Sequence, residues 1–145
     1  MKLFPIVSSL VALLTTASSA SPLICDDGDE AKVDVKYYYV DGWNSLPSAG
    51  LSSLTPYATD TTTYINYPST FGTFAGSGRA QNVAALFQSY LYVDQVVKTI
   101  CITSDDGSKL FLNDVLKINN DGIHAATRVC SNVSSGVYKL DIEYF

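Results

Sequence analysis

The stretch SDDGSKLFLNDVLKINNDGIH, residues 104–124, sets four carboxylates, three side-chain amides and the chain's one histidine on a frame of alternating apolar residues. Adjacent carboxylates at a tight turn, as in Asp105-Asp106-Gly107, are hard charged oxygen donors of the kind calcium prefers. A shell of about six to eight oxygens leaves room beside them for a pair of ligand hydroxyls. The same residues are also good turn chemistry, because short carboxylates accept hydrogen bonds from nearby backbone amides with no ion present. Asn119, Asn120 and Asp121 carry the same two readings, a ligand loop or an ordered connection between strands, with Gly122 supplying a positive φ.

Other chemistries find less support. His124 is the only histidine; no serine lies in a Gly-x-Ser-x-Gly elbow, and scattered serines do not define a triad, so a structural role for His124 is the expectation. Zinc would call for several His or Cys ligands. Carboxylate pairs of the glycosidase kind are not decided by spacing along the chain. No residue set supports catalysis, and a non-enzymatic protein is expected.

These residues must be positioned by one domain: 145 residues, 47% apolar and 16% charged, build a single core of ordinary size. Residues 1–20 read as a secretory signal peptide, with Lys2 as the positive start, Phe4 to Leu14 as the apolar run and Ser18-Ser19-Ala20 as the cleavage site. The run is too short for a bilayer span and none follows, so the domain, residues 21–145, is expected to be secreted and extracellular. Without Lys2 the chain has 8 basic against 14 acidic side chains, a net charge of −6, which disfavours nucleic acid as a partner.

Export gives the three cysteines an oxidising environment. Cys101, in VVKTICIT, and Cys130, in TRVCSNV, can pair, and Cys25 is then left over, free or joined to another chain. The alternative for each is a buried free thiol. Asn132-Val133-Ser134 is a sequon, so Asn132 is a candidate N-glycosylation site.

Period-two alternation dominates the rest. Val33–Tyr37, Leu86–Val93, Lys109–Leu112 and Val137–Tyr144 read as half-buried strands. Turn clusters separate them at Asp41-Gly42, Asp105–Gly107, Asn113-Asp114, Asp121-Gly122 and Ser134–Gly136. Residues 44–82, rich in Ser, Thr, Gly and Pro, read as long surface loops. The fold class is all-β, a sandwich or barrel.

The order of elements in 104–124, a strand into Ser-Asp-Asp-Gly, a strand to an Asn-Asp turn, then Asn-Asp-Gly-x-His, resembles the PA14 domain family. Tyr37-Tyr38-Tyr39 with Trp43 resembles its opening strand, Phe87–Val93 its central strand, and Gly136–Tyr144 its Gly-x-Tyr-x-Leu-x-Ile-x-Tyr strand. The resemblance implies a β-sandwich module of the type found in adhesins, flocculins and GLEYA-type adhesin modules among them, that often binds carbohydrate. In sugar-binding members, aspartates matching Asp105 and Asp106 hold a calcium ion that grips vicinal hydroxyls. The family normally adds a further loop and C-terminal strand, which supply more calcium ligands and a neighbour for the opening strand. This chain stops at Phe145. The expectation is therefore a sandwich lacking that strand, with a weak calcium site and an exposed sheet edge open to self-association.

Two functions follow. One is a secreted carbohydrate-binding or adhesion module that uses Asp105 and Asp106 with calcium and Trp43 or Tyr90 for stacking on sugars. The other is a structural extracellular matrix, wall or shell component without a defined sugar site. The partner is accordingly a glycan or a matrix component.

Overall fold

The computed structural model describes residues 32–67 and 72–145. The expected signal peptide, residues 1–20, and Cys25 lie outside the described residues. Six strands form among the described residues: β1 Val33–Tyr39, β2 Ala58–Thr62, β3 Val83–Ser104, β4 Ser108–Leu112, β5 Val115–Asn120 and β6 Thr127–Tyr144. Their hydrogen-bonded order is β2-β1-β3-β6-β4-β5, antiparallel throughout. The alternating segments become strands because alternation lets one face of each bury apolar side chains while the other meets water or a covering loop.

The long pair β3 and β6 builds both layers. It runs in register from Ala85 opposite Tyr144 to Ser104 opposite Thr127, with a shift between Val93 and Val97. Past that irregularity the pair turns over the rest of the sheet: Ile100, Ile102 and Val133 enter the same core as Phe87, Leu110, Leu140 and Ile142. One continuous ladder thus makes an all-β sandwich.

Ser134-Ser135-Gly136 corrects the sequence reading here. The segment is not a turn between strands but part of continuous β6, where Gly136 takes φ +153° opposite the register shift. Turns and bulges draw on the same small residues, so local composition does not separate them. The disulfide between Cys101 and Cys130 is present, as expected, joining directly opposed residues with Cα atoms 4.1 Å apart.

Two further expectations change. Residues 44–82 are not loop throughout, because Ala58–Thr62 forms β2 beside β1. β1 is consequently paired on both sides, and the edges of the sheet are β2 and β5 rather than the opening strand. The segment before β2 covers the outer face: Val40, Leu46 and Leu51 pack on Tyr38, Ala84 and Leu86, with Trp43 and Phe145 at the margin. Burying each large apolar side chain is worth about 1.5–3 kcal/mol, enough to hold this loop down.

Candidate functional site

The Asp105–Gly107 turn rests on a buried polar knot. Ser104 Oγ and Ser108 Oγ are 2.8 Å apart, and the Asn120 amide donates to Ser104 Oγ at 2.8 Å and to the Thr127 carbonyl at 3.2 Å. Ser104 ends β3, Ser108 opens β4, Asn120 ends β5 and Thr127 opens β6, so this one knot ties four strand ends together. Buried polar side chains hold such a position only when paired.

On this base the two carboxylates face outward. Asp105 is exposed and Asp106 partly so, and the peptide bond between them is cis. The Tyr144 hydroxyl donates to the Asp105 carbonyl at 2.7 Å, and the His124 backbone N–H donates to Asp106 Oδ1 at 3.1 Å. Burial pushes the Tyr144 phenol up to about 12, with the charges of Asp106 and Asp105 adding to the rise, so it remains a donor at neutral pH.

His124 closes the loop through both ring nitrogens. Its Nε2 lies 2.9 Å from the Asn120 carbonyl and its Nδ1 lies 3.0 Å from the Ala125 carbonyl. Only an imidazolium donates from both nitrogens, so these carbonyls, Asn120 first, hold its pKa above the ordinary value, with Asp106 and Asp105 contributing.

The remaining sequence-derived residues divide by role. Asn119 Oδ1 accepts from the Asp121 N–H at 3.2 Å, ordering the loop, while Asn120 is turned inward to the serine knot. Asp121 has both oxygens engaged: Oδ1 accepts from Leu46 N at 2.8 Å and Gly122 N at 2.9 Å, and Oδ2 meets Lys109 Nζ at 2.8 Å. Burial opposes its ionisation, but Lys109 and the two amides outweigh that and hold the carboxyl below its usual range. Trp43, half-buried, packs against the outer apolar cluster. Asp121 therefore pins the covering loop beside the Asp105–Asp106 turn through Leu46. Asn132 is exposed on β6, where its Oδ1 accepts from Thr99 Oγ1 at 3.1 Å.

Gly107 is required by closeness: a Cβ there would stand 2.8 Å from the Gly122 nitrogen and also strike the Phe145 ring. Sequence reasoning missed the roles of Lys109, Leu46 and Tyr144. The first two lie far from Asp121 or across strands, and only the alternation of Tyr144 in its strand was visible.

Calcium fits this turn in kind but not in number. Asp105 and Asp106 supply hard oxygens, yet among the described residues no group of three or more His, Cys, Asp or Glu side chains could hold a metal ion. An ion there would complete its shell with water or ligand hydroxyls.

Comparison with known proteins bears on the whole of this architecture. A family model for the PA14 domain matches residues 33–145. The PA14 sugar-binding domain from an RTX adhesin aligns at 18% identity over 80% of this chain and 82% of its own, with a TM-score of 0.64. The PA14 domain of the MpAFP antifreeze protein aligns at 18% identity over 89% of this chain and 80% of its own, with a TM-score of 0.63. At such identity the likeness to both structures is one of fold. A search of curated proteins finds no match.

Proposed function

The chain belongs to the PA14 domain family, and from that premise we propose that it is a secreted, non-catalytic module that binds carbohydrate in cell or matrix adhesion with the help of calcium. The observation that carries this reading is the pair Asp105 and Asp106, presented outward at one end of the sandwich by Tyr144, His124 and the serine knot. The adhesin domain of the same fold, described as sugar-binding, supports the class of ligand. Calcium would be held by Asp105 and Asp106, and when bound it would offer a sugar's vicinal hydroxyls a charged partner. The protein's part is to fix the turn that carries the two carboxylates, through the Tyr144 hydroxyl on the Asp105 carbonyl and the His124 N–H on Asp106 Oδ1. With two carboxylates in the set, affinity falls toward the millimolar end of the calcium range, which extracellular calcium still reaches.

The test is a melting curve and a glycan array, each with and without several millimolar calcium. Wild type should gain melting temperature and glycan retention with calcium, and the Asp105→Asn/Asp106→Asn pair should lose both gains while keeping its calcium-free stability. If the double substitution unfolds the calcium-free domain, the pair is structural.

A second reading, a self-associating matrix component, is favoured by the edge strand β5, which exposes Val115 and Leu116. It takes the lead if wild type responds neither to calcium nor to glycans.

A further inference from the structure

The outer face of the sheet holds a second feature, built from side chains other than those of the Asp105–Asp106 turn. Register places Glu143 opposite Leu86, Asp141 opposite Gln88 and Lys139 opposite Tyr90 on neighbouring β6 and β3. Residues 48–52 pass over one end of this row and leave a depression of about 230 Å³ lined by Gly50, Ser52, Asp114, Lys139, Asp141 and Glu143, among others. Gly50 lets the loop come close, since a Cβ there would lie 2.8 Å from Glu143 Oε1.

Glu143 is the unusual group. It is 5% exposed; its Oε1 accepts from the Leu51 N–H at 2.6 Å, and its Oε2 is buried with no partner among the described residues. A buried acceptor without a donor carries a desolvation penalty that a bound O–H or N–H would relieve. The neighbouring carboxylate is committed: Asp141 accepts from Gln88 at 2.8 Å and from Lys139 at 2.9 Å. Lys109, opposite Glu143 on β4, is engaged by Asp121 at 2.8 Å.

Charge narrows the occupant. Three carboxylates, those of Asp114, Asp141 and Glu143, face one ammonium, that of Lys139, around the depression, so a cation is favoured over an anion or a neutral group. Asp114 is also held by Lys139, at 2.7 Å, so Glu143 Oε2 is the one carboxylate oxygen here shown to lack a partner among the described residues; a single acceptor suits an N–H donor of an organic cation better than a metal ion that wants about six to eight oxygens. Tyr90, 62% exposed and opposite Lys139 in the register, offers a ring face for a sugar on the same face of the sheet. The volume suits a single small residue, being below the ~300 Å³ at which drug-sized pockets begin.

We propose that this depression is a second binding subsite, taking the free amine and an adjoining hydroxyl of a glucosamine-type residue in a glycan. The subsite shares the class of ligand proposed above and none of the residues, so each can fail alone.

The experiment is an amide-shift titration of the ¹⁵N-labelled protein in EGTA with a glucosamine tetramer, an N-acetylglucosamine tetramer and a glucose tetramer. The amine-bearing tetramer should shift the amides of Gly50, Leu51 and Glu143 and bind roughly tenfold tighter than the other two, since a charge-assisted hydrogen bond separates them. Glu143→Gln and the exposed-rim Asp114→Asn should each weaken it, Glu143→Gln by roughly tenfold; Asp114→Asn keeps the test decisive if Glu143→Gln fails to fold. No shifts, equal shifts from all three tetramers, or shifts confined to residues 104–107 and 119–124 would overturn the subsite. Because calcium is absent throughout, that result leaves the calcium reading standing.

Discussion

Asp121 and Glu143 sit on either side of Lys109 and are held in opposite ways. Asp121 accepts three donors, from Lys109, Leu46 and Gly122, and its carboxyl is held below the usual 3.8 although burial works against it. Glu143 accepts one donor, Leu51, and burial drives its carboxyl above the usual 4.5 despite that hydrogen bond and the nearby Lys109 charge. Burial alone therefore does not decide whether a carboxylate stabilises this domain. The number of donors aimed at it does. Beside the Asp105–Asp106 turn the anchoring carboxylate, Asp121, is supplied with donors, whereas Glu143 keeps one acceptor in reserve.

The largest break in this comparison should come from Asp121→Ala. It strips a largely buried ammonium, Lys109, of its counter-ion and frees Leu46 from the loop, so urea unfolding should show a loss of about 3–5 kcal/mol, as for a broken buried ion pair. A smaller loss would mean that the loop re-forms around Lys109.

Reducing the Cys101–Cys130 bridge acts on neither carboxylate and serves as the reference. Loop entropy puts the cost at about 2–4 kcal/mol, and the pH behaviour of Asp121 and Glu143 should be unchanged in the reduced protein.

Gly107→Ala should cost about 2 kcal/mol by overpacking against the Gly122 backbone and Phe145. If the turn is the calcium site, the calcium-dependent rise in melting temperature should shrink with it. A variant of unchanged stability would show that the turn yields freely.

The smallest and sharpest effect is Glu143→Gln, worth less than about 1 kcal/mol at neutral pH because the amide keeps an oxygen for Leu51. Its signature is in the pH profile. A raised carboxyl stabilises most below its usual 4.5 and loses that contribution as pH rises through the raised value. A lowered one stabilises above its usual 3.8 and loses its contribution as pH falls through the lowered value. Wild type should therefore rise on the acid side through Asp121 and decline again through Glu143. Glu143→Gln should erase the decline alone, and its persistence in the variant would assign it to another group.

How much of this was legible follows the reach of each interaction. Alternation in Leu86–Val93 and Val137–Tyr144 marked strands, because a half-buried face writes a period of two directly into the chain. β2 escaped because Ala58–Thr62, a threonine-rich edge strand exposed along most of its length, carries no apolar alternation. In the site, Asp105-Asp106-Gly107 and Asn119–Gly122 could be singled out since their turn chemistry is local.

By itself, then, the sequence determined the strands with one buried face, most turns at their ends, the cysteines able to pair and the place where two carboxylates adjoin; all are set within a few residues or by composition. Only the tertiary structure decided that Ser134–Gly136 continues a strand, that Asp121 serves the loop through Leu46, 75 residues away, and that Glu143 is buried against Leu51, 92 residues away, with one oxygen unpartnered. Those outcomes depend on which distant backbone N–H arrives at a given carboxylate, and the path of the covering loop decides that.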